Sequence, residues 1–351
     1  MASDTTFDLL TLALLPGVGP RTVRGLADRA RLTDVLARPE DHRDLLGEAA
    51  RARLASGAAR RAAEAEVRAA GALKARIVGR DDEEYPAFVR EVYDPPPVLY
   101  VRGTLDGAEG ERSVAVVGSR AASPQGLAVA RSLGRDLAAG GLTVVSGLAR
   151  GIDTAAHQGA LAAGGRTVAV LGSGLDRLYP GDNAGLARAI AGSGAVVTEF
   201  ALGTEPHAGN FPRRNRVIAG WSRAVVVVEA AARSGALVTA RCALEEGREV
   251  MAVPGHPGQA GSEGTNALIR DGARLVRHAA DVAEEIGVRL PAPPPPDPDP
   301  LLAALRRDDP LSVEELQQRS GRTPSEILSR LAVLELAARV RRLPGALFVL
   351  A

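Results

Sequence analysis

Lysine is all but missing from this chain: of its 43 basic residues only Lys74 is a lysine, and the rest are arginine. A Walker A loop needs a lysine after its glycine-rich turn to reach the terminal phosphates of a nucleotide. Lys74 stands in Leu73-Lys74-Ala75-Arg76, without those glycines, which excludes that class of site and argues equally against a Schiff-base lysine. Cysteine is just as scarce. The single Cys242 cannot close an internal disulfide, and its place in an alanine-rich helical pattern between Ala240 and Leu244 reads as a small buried structural thiol. No run of eighteen apolar residues occurs, so no membrane partner is expected. The opening Met1-Ala2-Ser3-Asp4 lacks the basic and apolar stretches of a secretory signal, and a cytoplasmic location is expected by default. Aromatic residues make up only 3% and the formal net charge is +1, so any nucleic-acid binding must come from a local cluster rather than a globally basic surface.

What is present is ordinary globular material, 46% hydrophobic and 24% charged, in a 351-residue chain long enough for two or three domains. Residues 1–70 predict a helical domain, with a Leu15-Pro16-Gly17-Val18-Gly19-Pro20 turn between two helical patterns. Such a Gly-x-Gly turn presents amide groups to phosphate in helix-hairpin-helix modules, yet an interhelical turn needing positive φ uses the same residues. Over residues 71–290, apolar β-branched runs at 113–117, 143–146, 167–171, 195–198, 224–229 and 249–253 alternate with alanine-rich helical stretches. That alternation predicts an α/β, Rossmann-like, doubly wound and mainly parallel sheet covered on both faces. Residues 291–300 hold seven prolines and two aspartates and read as a semi-rigid linker. Residues 301–351 predict helices at 301–306 and 313–318, a third opened by Thr323-Pro324-Ser325-Glu326, and a hairpin over 343–349, the pattern of a winged helix. Its third helix carries Arg330 but also Glu326 and Glu335, which argues against tight duplex binding.

Ligands of such sheets bind at the carboxyl ends of the strands, so the loops there are where function is sought. Gly118-Ser119-Arg120 lacks the three-glycine spacing of a dinucleotide site, and NAD or FAD is disfavoured. The Ser123-Pro124 helix start behind it is suited to one phosphate, with Arg120 as its clamp. The next loop repeats the theme with Ser146, Gly147, Arg150 and Gly151, and Asp153 is placed to cap the following helix. His157, one turn further, reads as a hydrogen bond holding that loop; no histidine or cysteine stands nearby, so no metal is expected. Ser234 to Thr239, and Pro254-Gly255 with Gly264-Thr265-Asn266, suit phosphate or plain helix caps, the caps being favoured.

The segment Asn210-Phe211-Pro212-Arg213-Arg214-Asn215-Arg216 packs three arginines, two asparagines and a phenylalanine into a chain poor in aromatics. Arginine forks grip phosphate, amides reach base edges, and an aromatic face stacks on an unpaired base, so the mixture suits single-stranded nucleic acid. The plainer reading is a basic turn leading into a helix, with Phe211 tucked into the core.

Taken together and in this order, these loops resemble the DNA processing protein A family (DprA, also called Smf). The resemblance runs through Gly118-Ser119-Arg120, residues 146–153 with His157, residues 170–176 with Tyr179-Pro180, Phe211 to Arg216, residues 234–240 and Val253-Pro254-Gly255. It implies a cytosolic, non-enzymatic protein without a cofactor, which binds incoming single-stranded DNA and loads the RecA recombinase during natural transformation. It also implies a homodimer formed through the Rossmann-like domain. Phosphate contact falls on Ser119, Arg120, Arg150, Arg213, Arg214 and Arg216, with Gly118, Gly147, Gly151, Asn210 and Asn215 in the same site and Phe211 stacking on a base. Tyr179-Pro180-Gly181-Asp182-Asn183 departs from relatives by lacking a basic residue, which puts that loop's DNA role in doubt. Two alternatives remain: a nucleotide hydrolase using Glu199 or Glu229 as acid and base, and a regulator acting through the winged tail.

Overall fold

The β-branched runs become strands of one nine-stranded sheet in a computed structural model that describes residues 3–290, 299–306 and 309–351. In chain order these are β1 (Arg76–Gly79), β2 (Val98–Gly103), β3 (Ser113–Val117), β4 (Thr143–Ser146), β5 (Thr167–Val170), β6 (Ala195–Thr198), β7 (Ala224–Val227), β8 (Glu249–Ala252) and β9 (Arg274–Leu275). Their spatial order is β1-β2-β6-β5-β4-β3-β7-β8-β9. From β6 to β9 all neighbours run parallel, and β1 and β2 add an antiparallel edge beside β6. Strands β3 to β7 are buried at every residue, because helices cover both faces; continuous valine, not alternation, is what such a position selects.

From β3 the chain steps outward through β4, β5 and β6, and the helix Asn210–Trp221 then carries it back to β7 on the other side of β3. The order reverses between β3 and β7. At such a switch point the loops leave in opposite directions and open a crevice above the strand ends. Ahead of the sheet, the helices Asp4–Ala13, Pro20–Ala27, Leu32–Ala37, Glu48–Ala55 and Ala58–Ala72 bury Leu9, Leu10, Leu12 and Leu26 in one cluster with Val98 and Tyr100 of β2. Cys242, on the helix Gly235–Glu245, is half-buried rather than enclosed, because it sits where the buried Ala243 flank meets exposed Arg241 and Leu244.

The chain divides into two compact units near residue 290. The second contains the helices Pro300–Ala304, Val313–Ser320 and Pro324–Leu336, then β10 (Val340–Leu343) paired antiparallel with β11 (Leu347–Leu350). The Thr323 hydroxyl accepts from the Glu326 amide, and the Glu326 carboxylate accepts from the Thr323 amide at 2.9 Å, the reciprocal cap its sequence predicts. Leu301, Leu316, Ile327, Leu331 and Phe348 form its core. Most of the expected linker, residues 291–298, lies outside the described residues. Its last two residues instead open a helix, with the Asp299 carboxylate accepting from the Leu301 amide at 3.0 Å.

Candidate nucleic-acid interface

Loops far apart in sequence meet at the switch point. Gly151 adopts φ 81°, and a side chain there would strike the Ser119 carbonyl; the Ile152 amide donates to that same carbonyl at 3.2 Å, so the loops after β3 and β4 abut. The crevice holds two cavities. The larger, about 700 Å³, lies between the β3 loop, with Gly118, Ser119 and Arg120, and the start of the helix Gly235–Glu245, with Arg233 and Ser234. The smaller, about 230 Å³, is walled by Gly147, Arg150, Ser173 and Tyr179. Arg120, Phe211 and Arg214 line both.

The Asn210 to Arg216 segment is not a loop but the first half of the helix Asn210–Trp221. Helical spacing therefore divides its three arginines. Phe211, Arg214, Asn215 and Ile218 face the crevice. Arg216 points to the other flank, where its guanidinium meets Glu199 at 2.5 Å and Asp94 at 3.6 Å; Arg213 lies 3.7 Å from the same Glu199. Neither Arg213, Arg216 nor Asn210 lines either cavity, and Asn210 Nδ2 donates to the Glu205 carbonyl at 3.3 Å. Arg216 is thus committed to carboxylates, whereas Arg213 is half exposed, with a loose contact to Glu199, and lies outside both cavities.

Arg214 is only 4% exposed. Its Nη1 donates to the carbonyls of Gly147 at 2.7 Å and Val170 at 2.6 Å, and its Nε donates to Asn215 Oδ1 at 3.0 Å. Among the described residues no carboxylate comes within 4.0 Å of its guanidinium. Burial pulls its pKa down to about 10, with the neighbouring Arg120 charge acting in the same direction and Asp153 against it. Phe211 lies between Arg120, 4.7 Å from the ring centroid, and the backbone of Gly172. The aromatic therefore serves as a seat for Arg120 as well as a partition between the two cavities.

Several supporting residues act differently from expectation. Asp153 does not cap its own helix; its Oδ2 accepts from the Gly147 and Ala149 amides at 3.1 and 3.3 Å and so shapes the β4 loop. His157 bonds through Nδ1 to Thr167 Oγ1 at 2.7 Å, tying its helix to β5 rather than to the loop. The helix start at Ser123, suited to phosphate on sequence grounds, is already filled by Glu229, whose carboxylate accepts from the Ser123 amide at 3.1 Å and hydroxyl at 2.6 Å. Ser119 Oγ accepts from the Ala121 amide at 3.2 Å. Arg150 forms an exposed 2.7 Å ion pair with Asp182. Sequence reasoning missed Arg233 altogether and left Tyr179 without a role; both line the crevice.

The fold and crevice define a Rossmann-like protein with an arginine-lined trough at the switch point of its sheet, followed by a small helix-and-hairpin unit. Residues 76–287 match the model of the DNA recombination-mediator protein A family, and residues 288–346 match its winged-helix domain. The chain belongs to that family. It is 44% identical over 285 residues to protein Smf of Escherichia coli, covering 77% of this chain and 76% of the relative. The crystal structure of DNA processing protein A from Streptococcus pneumoniae superposes with a TM-score of 0.67 at 34% identity, covering 81% of this chain and 99% of the other. DNA processing protein A from Helicobacter pylori, a structure concerned with its single-stranded DNA binding mode, gives 0.55 at 28% identity over 60% and 95% of the two chains.

Proposed function

We propose that this chain binds single-stranded DNA in the trough without catalysing a reaction, shields it, and hands it to the RecA recombinase during natural transformation, as a cytoplasmic homodimer. The observation that carries this reading is Arg214, a buried guanidinium with no carboxylate partner among the described residues. Its hydrogen bonds go to two carbonyls and one side-chain amide, with only the more distant Asp153 charge to offset it, so an anion reaching both cavities gains a buried, hydrogen-bonded cation as its partner. Arg120 and Arg233 open into the same space with no ion pair among the described residues. A phosphodiester chain supplies negative charge at each step, and its bases have an aromatic partition to lie against. The single-stranded DNA binding of the Helicobacter pylori relative supports the same class of ligand.

Three unpaired arginines, at roughly 0.7 per phosphate contact on single strands, set a slope near −2 for log affinity against log salt. Titration of a labelled thymidine oligomer at several salt concentrations measures it, and an affinity indifferent to salt would sink the proposal. The hydrolase alternative is weakened by the two carboxylates it needs. Glu199 is engaged by Arg216 and Glu229 by Ser123, and neither lines either cavity. Incubation with nucleoside monophosphates should release no free base.

A further inference from the structure

We propose that the smaller cavity is a slot for one unpaired nucleobase stacked on Tyr179, so that successive bases of a strand lie on either side of Phe211; this rests on the single-strand reading above. Its volume of about 230 Å³ has room for a nucleobase. Phe211 already carries Arg120 over its ring at 4.7 Å and rests on Gly172. The more open aromatic surface at the slot is that of Tyr179, which is 50% exposed where Phe211 is only partly so. Its ring centroid lies 6.1 Å from that of Phe211, tilted by 53°, which leaves no gap for a third ring between them. A base instead seats on the Tyr179 face and meets Phe211 at an edge, an arrangement aromatic systems favour. Arg120, Arg150 and Arg214 surround the slot and receive the flanking phosphates. Arg150 is paired with Asp182, but both are exposed, and a phosphodiester displaces so weak an ion pair at little cost.

The test uses the full chain, a thymidine oligomer, and an abasic oligomer of the same length and charge. Tyr179→Ala is expected to weaken thymidine binding by roughly 5- to 150-fold, the range a single base stack supplies, and to leave abasic binding unchanged. Tyr179→Phe should retain wild-type affinity. An oligomer carrying 2-aminopurine should lose fluorescence on binding the wild type and keep it on binding Tyr179→Ala. Equal losses on both oligomers, or no loss on either while Arg214→Ala still weakens binding, would overturn the slot and leave the single-strand reading standing. If the wild type binds neither oligomer, the reading and the slot fall together.

Discussion

Arg214 owes its position to backbone rather than to charge. Its guanidinium passes so close to Gly147 that a methyl group on that residue would lie 2.1 Å from Nη1. Gly147→Ala should therefore push the guanidinium out of both cavities and weaken oligonucleotide binding as Arg214→Ala does. Each change is expected to cost about 1.5–3 kcal/mol, the range for hydrogen bonds to a charged group. In a double-mutant cycle the pair should be no weaker than either alone; additive losses would place Gly147 in some other role. Phe211→Ala should cost roughly 1 to 3 kcal/mol of affinity, part of it through the lost seat of Arg120, and an unchanged affinity in the folded variant would remove Phe211 from the site. His157, beneath Arg214, yields a prediction about acid. Burial first, and the Arg214 charge second, hold its imidazole down to about 3 from 6.5. The unfolded chain takes up this proton near 6.5 and the folded chain does not, so the stability His157 contributes is complete above 6.5 and is lost as the pH falls toward 3. The loss runs at about 1.4 kcal/mol per pH unit. His157→Gln should then show a shallower decline in urea-unfolding stability between pH 6.5 and 4, and parallel declines would contradict this account.

A helix separates what a loop would pool. The same seven residues that suggest one basic cluster in sequence become, on the helix Asn210–Trp221, a crevice face holding Arg214 and a structural face holding Arg216. Glu199→Gln should accordingly damage folding and not binding. Breaking a buried pair by removing one partner costs about 3–5 kcal/mol, read as a lower urea midpoint, while affinity for the thymidine oligomer stays at the wild-type value; a large loss of affinity would return Glu199 to the site. The helical state of this segment was hidden by Pro212 and two asparagines, residues that signal turns although proline is tolerated in a first helical turn. The six valine-rich strands were legible because burial on both faces demands continuous apolar sequence, and the glycine loops were legible because they follow those strands directly. β1 and β9 were not: one is four residues opened by an exposed arginine, the other two exposed residues, too short for any period. β2 did carry its signal in Val98-Leu99-Tyr100-Val101 behind three prolines, but a short apolar run does not encode its antiparallel pairing with β6. Arg233 had no local signal at all, since only the return of the chain to β7 brings it beside Arg120.

At the scale of the molecule, a net charge of +1 conceals a strongly uneven distribution. Arg120, Arg214 and Arg233 converge at the switch point without ion pairs among the described residues, whereas Arg76, Arg277 and Arg330 are matched by nearby carboxylates. At the crevice the three guanidinium groups act on a polyanion between low-dielectric walls, where field lines converge. The second unit has a core of its own. Its third helix exposes Leu328, Val333 and Leu336, the last of them 90% exposed, where a groove-reading helix would present arginine, asparagine or glutamine to base edges. A chain ended after residue 290 should therefore unfold cooperatively and bind the thymidine oligomer with unchanged affinity and an unchanged salt slope. If its slope is shallower than that of the full chain, the missing phosphate contacts belong to the winged tail, and the trough holds a shorter stretch of strand than its three free arginines imply.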